Sequence, residues 1–133
     1  MSRENDAYAA GIMDGEGSIS IHKKIDSFVL VVQVGVTDYE LVDWLQFFYG
    51  GHINSYQPKG DRKEVHIWKL HGEKAQEFIR SILPHLKLKK YKALLALEYK
   101  VGGGYEDHKA IYERYCEMRS TKANHLRGLR KGD

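Results

Sequence analysis

The stretch that most constrains the fold runs from Tyr8 to Ser18 and has the sequence YAAGIMDGEGS. Gly11 and Gly15 are four residues apart, so on a helix they lie on one face. Each glycine inside a helix costs roughly 1 kcal/mol relative to alanine. Two of them in one short helix therefore predict a face that another backbone approaches closely, as it does in GxxxG helix pairs.

The same helix ends on acidic side chains. Asp14 and Glu16 fall in its last turn, and Gly17 stands where a helix commonly ends. Carboxylates are unfavourable there, because a helix C-terminus carries the negative end of the macrodipole. A lysine or a divalent cation can compensate. If the helix packs against a copy of itself, two Glu16 side chains meet near one axis, and their repulsion favours bound metal.

These residues resemble the signature of the LAGLIDADG homing endonucleases in the glycine spacing, the D-G-E-G end and the strand that follows. The segment PHLKLKKYKA at residues 84–93 is also similar to a segment of that family. Chains of the family with one motif act as homodimers, and this chain has one copy. The resemblance implies that small motif residues form the dimer interface, namely Ala7, Ala10, Gly11, Asp14 and Gly15. The alternative is a helix whose small residues pack within one chain.

Hydrophobic periodicity and turn signals predict the order of elements. We expect strands at 18–24, 28–36, 52–57 and 62–70, and helices over the motif, after a capping box at 37–40, and near 73–83, 86–100 and 105–119. This α+β order is similar to the αββαββα core of the family, in which a four-stranded antiparallel sheet forms a DNA-binding saddle, here followed by C-terminal helices. We expect one domain over 1–133, with its core at about 7–100 and a C-terminal helix and basic tail at 105–133.

Composition and charge bear on where in the cell the protein is located and on whether it binds nucleic acid. The 133 residues include one cysteine, Cys116, so an internal disulfide is excluded and an intracellular location is expected, in the cytoplasm, nucleoid or an organelle. No apolar run approaches the roughly 20 residues that span a membrane. The net charge of +3 is too small to indicate nucleic-acid binding by itself. The segment from Arg119 to Lys131 is nevertheless basic and contains no acid.

Polar side chains that project from one face of an antiparallel ribbon can reach base edges in the major groove. On the interpretation as a saddle, the candidates for base contact are Ser20, His22, Lys24, Gln33, His52, Asn54, Tyr56, Arg62, Glu64 and His66. The alternative is a hydrated sheet surface. In the second hairpin this assignment places Arg62, Glu64 and His66 on one face, and a shift of one residue in register would reverse it.

Phosphodiester hydrolysis needs charge stabilisation at both the attacking and the leaving oxygen, which paired divalent ions supply. We predict Glu16 as the metal ligand, one from each subunit, with the Gly15 carbonyl as a second candidate. Mg²⁺ suits an all-oxygen site; we expect Mn²⁺ to substitute and Ca²⁺ to bind without supporting cleavage. The resemblance also implies a catalytic lysine, which Lys89 matches. The polar residue that the family often has near Val36 is missing, and Gln33 is the candidate to replace it.

The resemblance therefore implies a site-specific endonuclease that acts as a homodimer on double-stranded DNA with a long pseudo-palindromic target, because a two-fold dimer presents two identical reading surfaces. Two alternatives share the fold. One is a maturase that binds its own intron RNA, and the other is a DNA-binding regulator that does not cut. The presence of both Asp14 and Glu16 favours cleavage.

Overall fold

A computed structural model of the chain describes the backbone of residues 2–131 and the side chains of residues 2–119. Its elements are α1 (Arg3–Glu16), β1 (Gly17–Lys23), β2 (Phe28–Val36), α2 (Tyr39–Tyr49), β3 (His52–Tyr56), β4 (Val65–His71), α3 (Gly72–Ile82), a 3₁₀ turn (Leu83–His85), α4 (Lys90–Glu98) and α5 (Tyr105–Lys131). This order is helix, hairpin, helix, hairpin and helices. It confirms the predicted α+β fold with an αββαββα core.

The four strands form one antiparallel sheet with the spatial order β1-β2-β4-β3. The hairpins β1–β2 and β3–β4 therefore lie side by side, with β2 and β4 in the middle and β1 and β3 at the edges. The register pairs Ile19 with Val32 and Val34 with Trp68 on the face that the helices cover. The opposite face carries Gln33, which pairs with Ser18 on one side and Lys69 on the other.

The core lies between the sheet and the helices. Its fully buried side chains include Met13 from α1, Leu30 from β2, Leu45 from α2 and Ile79 from α3. Trp68 is also fully buried, and its indole N–H donates to the Gly50 carbonyl at 2.7 Å. That hydrogen bond satisfies the polar atom of the ring and joins β4 to the end of α2.

The start of α2 differs from the prediction, and its end does not. α2 begins one residue later than the capping box indicates, because the Asp38 carboxylate accepts from the Glu40 amide at 3.1 Å and makes Asp38 the N-cap in place of Thr37. The predicted end at Gly50-Gly51 is confirmed. A Cβ on Gly51 (φ 99°) would lie 2.6 Å from the Lys69 carbonyl oxygen, so this position requires glycine.

The C-terminal region also differs. The predicted helix at 86–100 is shorter, because residues 86–89 are non-helical and α4 starts at Lys90. α5 continues through Lys131, past the predicted end at Arg119. The side chains of the basic tail after Arg119 lie outside the described part of the chain. Among the described residues, no helix is long and apolar enough to cross a membrane.

Candidate active site and nucleic-acid interface

Asp14 connects the end of the motif helix to the lysine-rich segment before α4. Its carboxylate accepts hydrogen bonds from the backbone N–H groups of Lys87, Leu88 and Lys89, at 2.8, 3.2 and 3.1 Å. These amides precede the first turn of α4, where backbone N–H groups point outward and negative charge is favourable. The carboxylate that is unfavourable for α1 is therefore well placed for α4. This contact joins residues more than seventy positions apart within one chain.

The same contact fixes the position of Lys89. Its Nζ donates to the Asp14 carbonyl oxygen at 2.9 Å, beside the last turn of α1. The ammonium group thereby lies at the negative end of the α1 dipole, which a cation stabilises. The sequence analysis predicted that a positive group would compensate the acidic end of this helix. Lys89 is such a group, and the carbonyl that it binds lies two residues before Glu16.

Glu16 is the last residue of α1 and is exposed. The final turn of a helix leaves carbonyl groups without intrahelical partners. Two carbonyls of this turn have partners, since Met13 accepts from the Gly17 amide and Asp14 accepts from Lys89. The Glu16 carboxylate and the nearby Gly15 carbonyl form a set of hard oxygen donors, which fits Mg²⁺ and not a metal that prefers nitrogen or sulfur.

Among the described residues, no group of three or more His, Cys, Asp or Glu side chains could hold a metal ion. Glu16 is exposed at the end of α1. An acidic ligand from another molecule, such as a nucleic-acid phosphate or the carboxylate of a second copy of the chain, can therefore approach it.

One face of α1 is open along its length. Ala7, Gly11 and Gly15 are all exposed, and a Cβ placed on either glycine would meet no atom of the described residues within 4 Å. Nothing in the described part of the chain therefore requires glycine at these two positions. Their cost in helix stability is consistent with close approach by another molecule.

One residue that we assigned to a dimer interface lies elsewhere. Ala10 is fully buried in the core of its own chain, because it follows Ala9 on the side of α1 that faces the sheet. This assignment is wrong, because the spacing of small residues does not show which row faces inward. Asp14 is half-buried, and its carboxylate accepts from the three amides before α4; its place in a dimer interface stays a prediction.

The sheet has an open face that carries six of the predicted base-contact residues. Its register places on that face Ser20, His22, Gln33, His52, Asn54 and Tyr56. Ser20 is largely buried and its hydroxyl lies 3.0 Å from the His22 ring nitrogen, so it positions His22. Gln33 stands at the middle of the face, next to the end of α1, because Ser18 is its partner on β1.

Four predicted residues do not lie on this face of the strands. Lys24 follows the end of β1, and Arg62 and Glu64 belong to the loop between β3 and β4. His66 is on the opposite face, 8% exposed, where the Ser55 hydroxyl lies 2.7 Å from its ring. His66 also lies 3.8 Å from the Glu64 carboxylate. The predicted register of β4 is therefore wrong by one residue, which reverses the direction of every side chain.

The sequence analysis missed two basic residues on the open face. Lys69 pairs with Gln33 and His52, and His71 pairs with Val31. Both lie near the centre of the sheet. A signal was present in the sequence, since Trp68 and Leu70 are the bulkiest apolar residues of β4 and so mark its buried face. Lys69 and His71 alternate with them.

The open face is electrostatically positive around His71. Partial burial lowers the pKa of His71 below its ordinary value of 6.5, and the positive charges of Lys69, His52, Lys24 and His22 lower it further, in that order. Basic groups from three strands and one turn therefore converge on one region. Such a surface favours an anionic partner.

Comparison with solved structures identifies the class of fold. The homing endonuclease I-CvuI, in complex with the I-CreI target, superimposes with a TM-score of 0.62 and 22% sequence identity, over 73% of this chain and 66% of that one. The archaeal intron-encoded homing endonuclease I-Vdi141I, complexed with DNA, gives 0.60 and 18%, over 72% and 66%. The LAGLIDADG homing endonuclease I-GzeII, in complex with its DNA target, gives 0.53 and 19%, over 84% and 42%.

The fold is therefore that of the LAGLIDADG homing endonucleases, as the motif predicts. The chain spans less than two thirds of the length of these neighbours. No protein-family model matches the chain, and no curated protein is similar to it in sequence. At this level of identity the comparisons establish the architecture, and the activity has to be argued from the site.

Proposed function

We propose that the protein is a site-specific double-stranded DNA endonuclease that acts as a homodimer with divalent cations on a long pseudo-palindromic target. The observation that carries this proposal is the Asp14 contact, which places the Lys89 ammonium beside the helix end that carries Glu16. A carboxylate and a lysine at the end of an open glycine face are groups that phosphodiester hydrolysis can use. A packing helix alone would not need them.

The homodimer is supported by the open face of α1. Ala7, Gly11 and Gly15 form an exposed stripe, and at the two glycines an added Cβ would meet no atom of the described residues within 4 Å. Packing this stripe against its own copy on a two-fold axis brings two Glu16 carboxylates toward each other. It also sets two open sheet faces end to end, which is the arrangement that a pseudo-palindromic duplex requires.

Each side chain then has a role in hydrolysis. A divalent cation held between the Glu16 carboxylates would stabilise the charge on the attacking and leaving oxygens. The Lys89 ammonium, fixed by the Asp14 carbonyl, stabilises the negative charge that develops on the scissile phosphate. The Gln33 amide, at the edge of the site, orients a water molecule by hydrogen bonding. Asp14 positions Lys89 and does not touch the DNA.

DNA recognition is assigned to the open sheet face. Gln33 and Asn54 carry amides that pair well with adenine, and Lys69 can donate to guanine. The neighbouring structures I-CvuI and I-Vdi141I contain DNA, which supports the assignment of a duplex to this surface. Lys24, Arg62 and Glu64, on the turns at the ends of the strands, are placed to contact the flanks of the same duplex.

The test is cleavage of a plasmid library by the wild-type protein and by Glu16→Gln. We expect the wild type to linearise a subset of plasmids with staggered ends in Mg²⁺ or Mn²⁺, and to bind the same sites in Ca²⁺ without cutting. Glu16→Gln should bind those sites and cut at least about 10³-fold more slowly, as expected for loss of a group that stabilises the transition state. Glu77→Gln, an exposed carboxylate on α3, is the matched control.

Two results would contradict the proposal. Equal cutting by wild type and Glu16→Gln would show that Glu16 is not the metal ligand. Specific binding without cutting in any divalent metal would identify the protein as a DNA-binding regulator. Preferential binding of intron RNA over every duplex would support the maturase alternative.

A further inference from the structure

A cleft runs along the outer edge of the sheet, beside the open face. β1 is an edge strand, and α5 passes beside it. The strand side of the cleft is formed by Ser18, Ser20 and residues 21–23, and the helix side by Tyr112, Tyr115 and Arg119. The functional assignments above make no use of the helix side.

The helix side is a fixed wall. The Tyr105 and Tyr112 rings pack on the Phe28 ring, with centroids 5.2 and 5.0 Å apart, which holds α5 at the hairpin end of β1. One turn further on, Tyr115 is buried against the core. Aromatic packing therefore anchors the first half of α5 against the rest of the chain.

The chemistry of the cleft suits an anion. His22, Lys23 and Arg119 contribute basic groups, and none of the residues that line it is acidic. The Arg119 guanidinium lies over the Tyr115 ring, 5.7 Å from its centroid, which holds the side chain against the wall. Hydroxyl groups of the serines and tyrosines add neutral hydrogen-bond donors.

The cleft is continuous with the open sheet face. Ser20 and His22 project from the open face and also line the cleft. Ser18, the first residue on the strand side of the cleft, is two residues from Glu16 in the sequence. A duplex in the saddle therefore has one of its two backbones along this edge, and the cleft follows that backbone toward the cutting site.

We propose that this cleft binds the sugar–phosphate backbone of the target DNA, with Arg119 and Lys23 contacting phosphates outside the bases that the sheet contacts. The inference rests on the proposed function, because it assumes a duplex on the open face. Phosphate contacts fix the register of the protein without selecting sequence. α5 is thus a second wall of the DNA-binding surface, outside the predicted core at 7–100.

The experiment measures duplex affinity against salt concentration in EDTA, so that no DNA is cut, with a duplex selected by the wild type and an unrelated duplex of equal length. Arg119→Gln should lower affinity for both duplexes by a similar factor, roughly ten-fold for each of the two subunits, as for loss of one charge-assisted hydrogen bond in each. Because the proposed homodimer loses two phosphate contacts, the slope of log K against log salt should fall by about 2. Lys23→Gln, at the other end of the cleft, should behave similarly.

Arg114→Gln is the matched control, since it removes one positive charge from the same helix outside the cleft, where Arg114 pairs with Glu98. Its salt slope should equal that of the wild type. Equal slopes for wild type, Arg119→Gln and Lys23→Gln, with thermal melts showing that all are folded, would overturn the proposal. Stronger binding of structured RNA than of DNA, with the same sensitivity to Arg119, would also overturn it.

Failure of the proposed function gives a different result. If the wild-type protein selects no duplex and shows no salt-dependent affinity for the unrelated one, the assignment of DNA to the open face fails as well. If selection and cutting succeed but the Arg119 and Lys23 variants behave as wild type, only the role of the cleft is wrong.

Discussion

The two faces of α1 use small residues for opposite reasons. On the inner face, Ala9, Ala10 and Met13 are fully buried, so their size is set by the sheet that packs on them. On the outer face, Gly11 and Gly15 have no neighbour within 4 Å of an added Cβ. The inner face is complete within one chain and the outer face is not. The difference shows that a run of small residues has to be interpreted face by face.

The sheet repeats this contrast. Its inner face is filled by apolar side chains such as Val32, Trp68 and Leu70. Its outer face carries Lys69 and His71 near the centre, where burial against the same chain is incomplete. On α1 and on the sheet, the face that the chain covers itself is apolar, and the open face carries glycines in the first case and basic residues in the second. The following predictions test this division.

The largest effect on stability is expected from the inner face. Met13→Ala removes a fully buried side chain from between α1 and the sheet, and should lower the free energy of unfolding by about 2–5 kcal/mol. Urea denaturation measures this value. Ile25→Ala, at an exposed turn residue, should change it by less than about 0.5 kcal/mol. Similar values for the two variants would show that the inner face is not packed as described.

Substitutions of Asp14 test the contact between the end of α1 and the segment before α4. Asp14→Ala leaves three backbone N–H groups before α4 without their acceptor, and should cost about 1–3 kcal/mol. Because Lys89 is then no longer held by a fixed segment, cutting should fall more than DNA affinity. Asp14→Asn keeps an acceptor oxygen and should be intermediate in both. Unchanged kcat with lowered stability would mean that Asp14 acts only on the fold.

On the outer face of α1, a substitution should raise the stability of the chain and not lower it. Gly11→Ala meets no neighbour in the chain, so the dissociated protein should gain about 0.5–1 kcal/mol from better helix propensity. Self-association should weaken at least ten-fold, or about 1.4 kcal/mol, because two helices can no longer approach as closely. Sedimentation over a concentration series measures the second effect, and denaturation at low concentration the first.

A variant with the reverse change, from alanine to glycine, controls for the effect of helix propensity. Ala110→Gly, at an exposed position of α5, should lose a similar amount of helix stability and leave self-association unchanged. Dimers of equal strength in wild type and Gly11→Ala would place the subunit contact elsewhere.

The smallest effect concerns pH on the outer face of the sheet. His71 has a pKa lowered first by burial and then by Lys69 and other basic neighbours. Between that value and its ordinary pKa of 6.5 the unfolded chain binds more protons than the native one. Stability should therefore decrease as pH falls through 6.5, and the loss should be complete below the lowered pKa. Bound DNA favours the protonated ring, so duplex affinity should rise over the same window.

His71→Gln should flatten both pH profiles. Thermal melts and fluorescence titrations measure the two profiles from about pH 5 to about pH 7.5, the range in which an ordinary histidine titrates. His85→Gln is the matched control, because His85 lies in the 3₁₀ turn and not on a strand of the sheet. Affinity that falls on acidification would place the DNA on another surface.

The sequence by itself determined the order of elements, the motif helix and the polar face of β1. Each is encoded within a few residues: the spacing of Gly11 and Gly15, the alternation from Ser18 to Lys23, and the glycines at Gly50-Gly51 that end α2. Glu16 and Lys89 were identified through a family resemblance whose fold the solved structures bear out. Their roles in cleavage stay predictions.

Only the tertiary structure decided which row of small residues faces inward and which face of β4 is open. Ala10 and Gly11 are adjacent in sequence and differ in environment, because the sheet covers one and not the other. We predicted that His66 lies on the open face of β4, whereas the structure has Lys69 there. A shift of one residue in register reverses the direction of every side chain. The partner amides of Asp14 lie more than seventy residues further along the sequence, and no local pattern specifies a contact over such a separation. Local periodicity fixes elements, whereas their packing fixes the direction of each side chain.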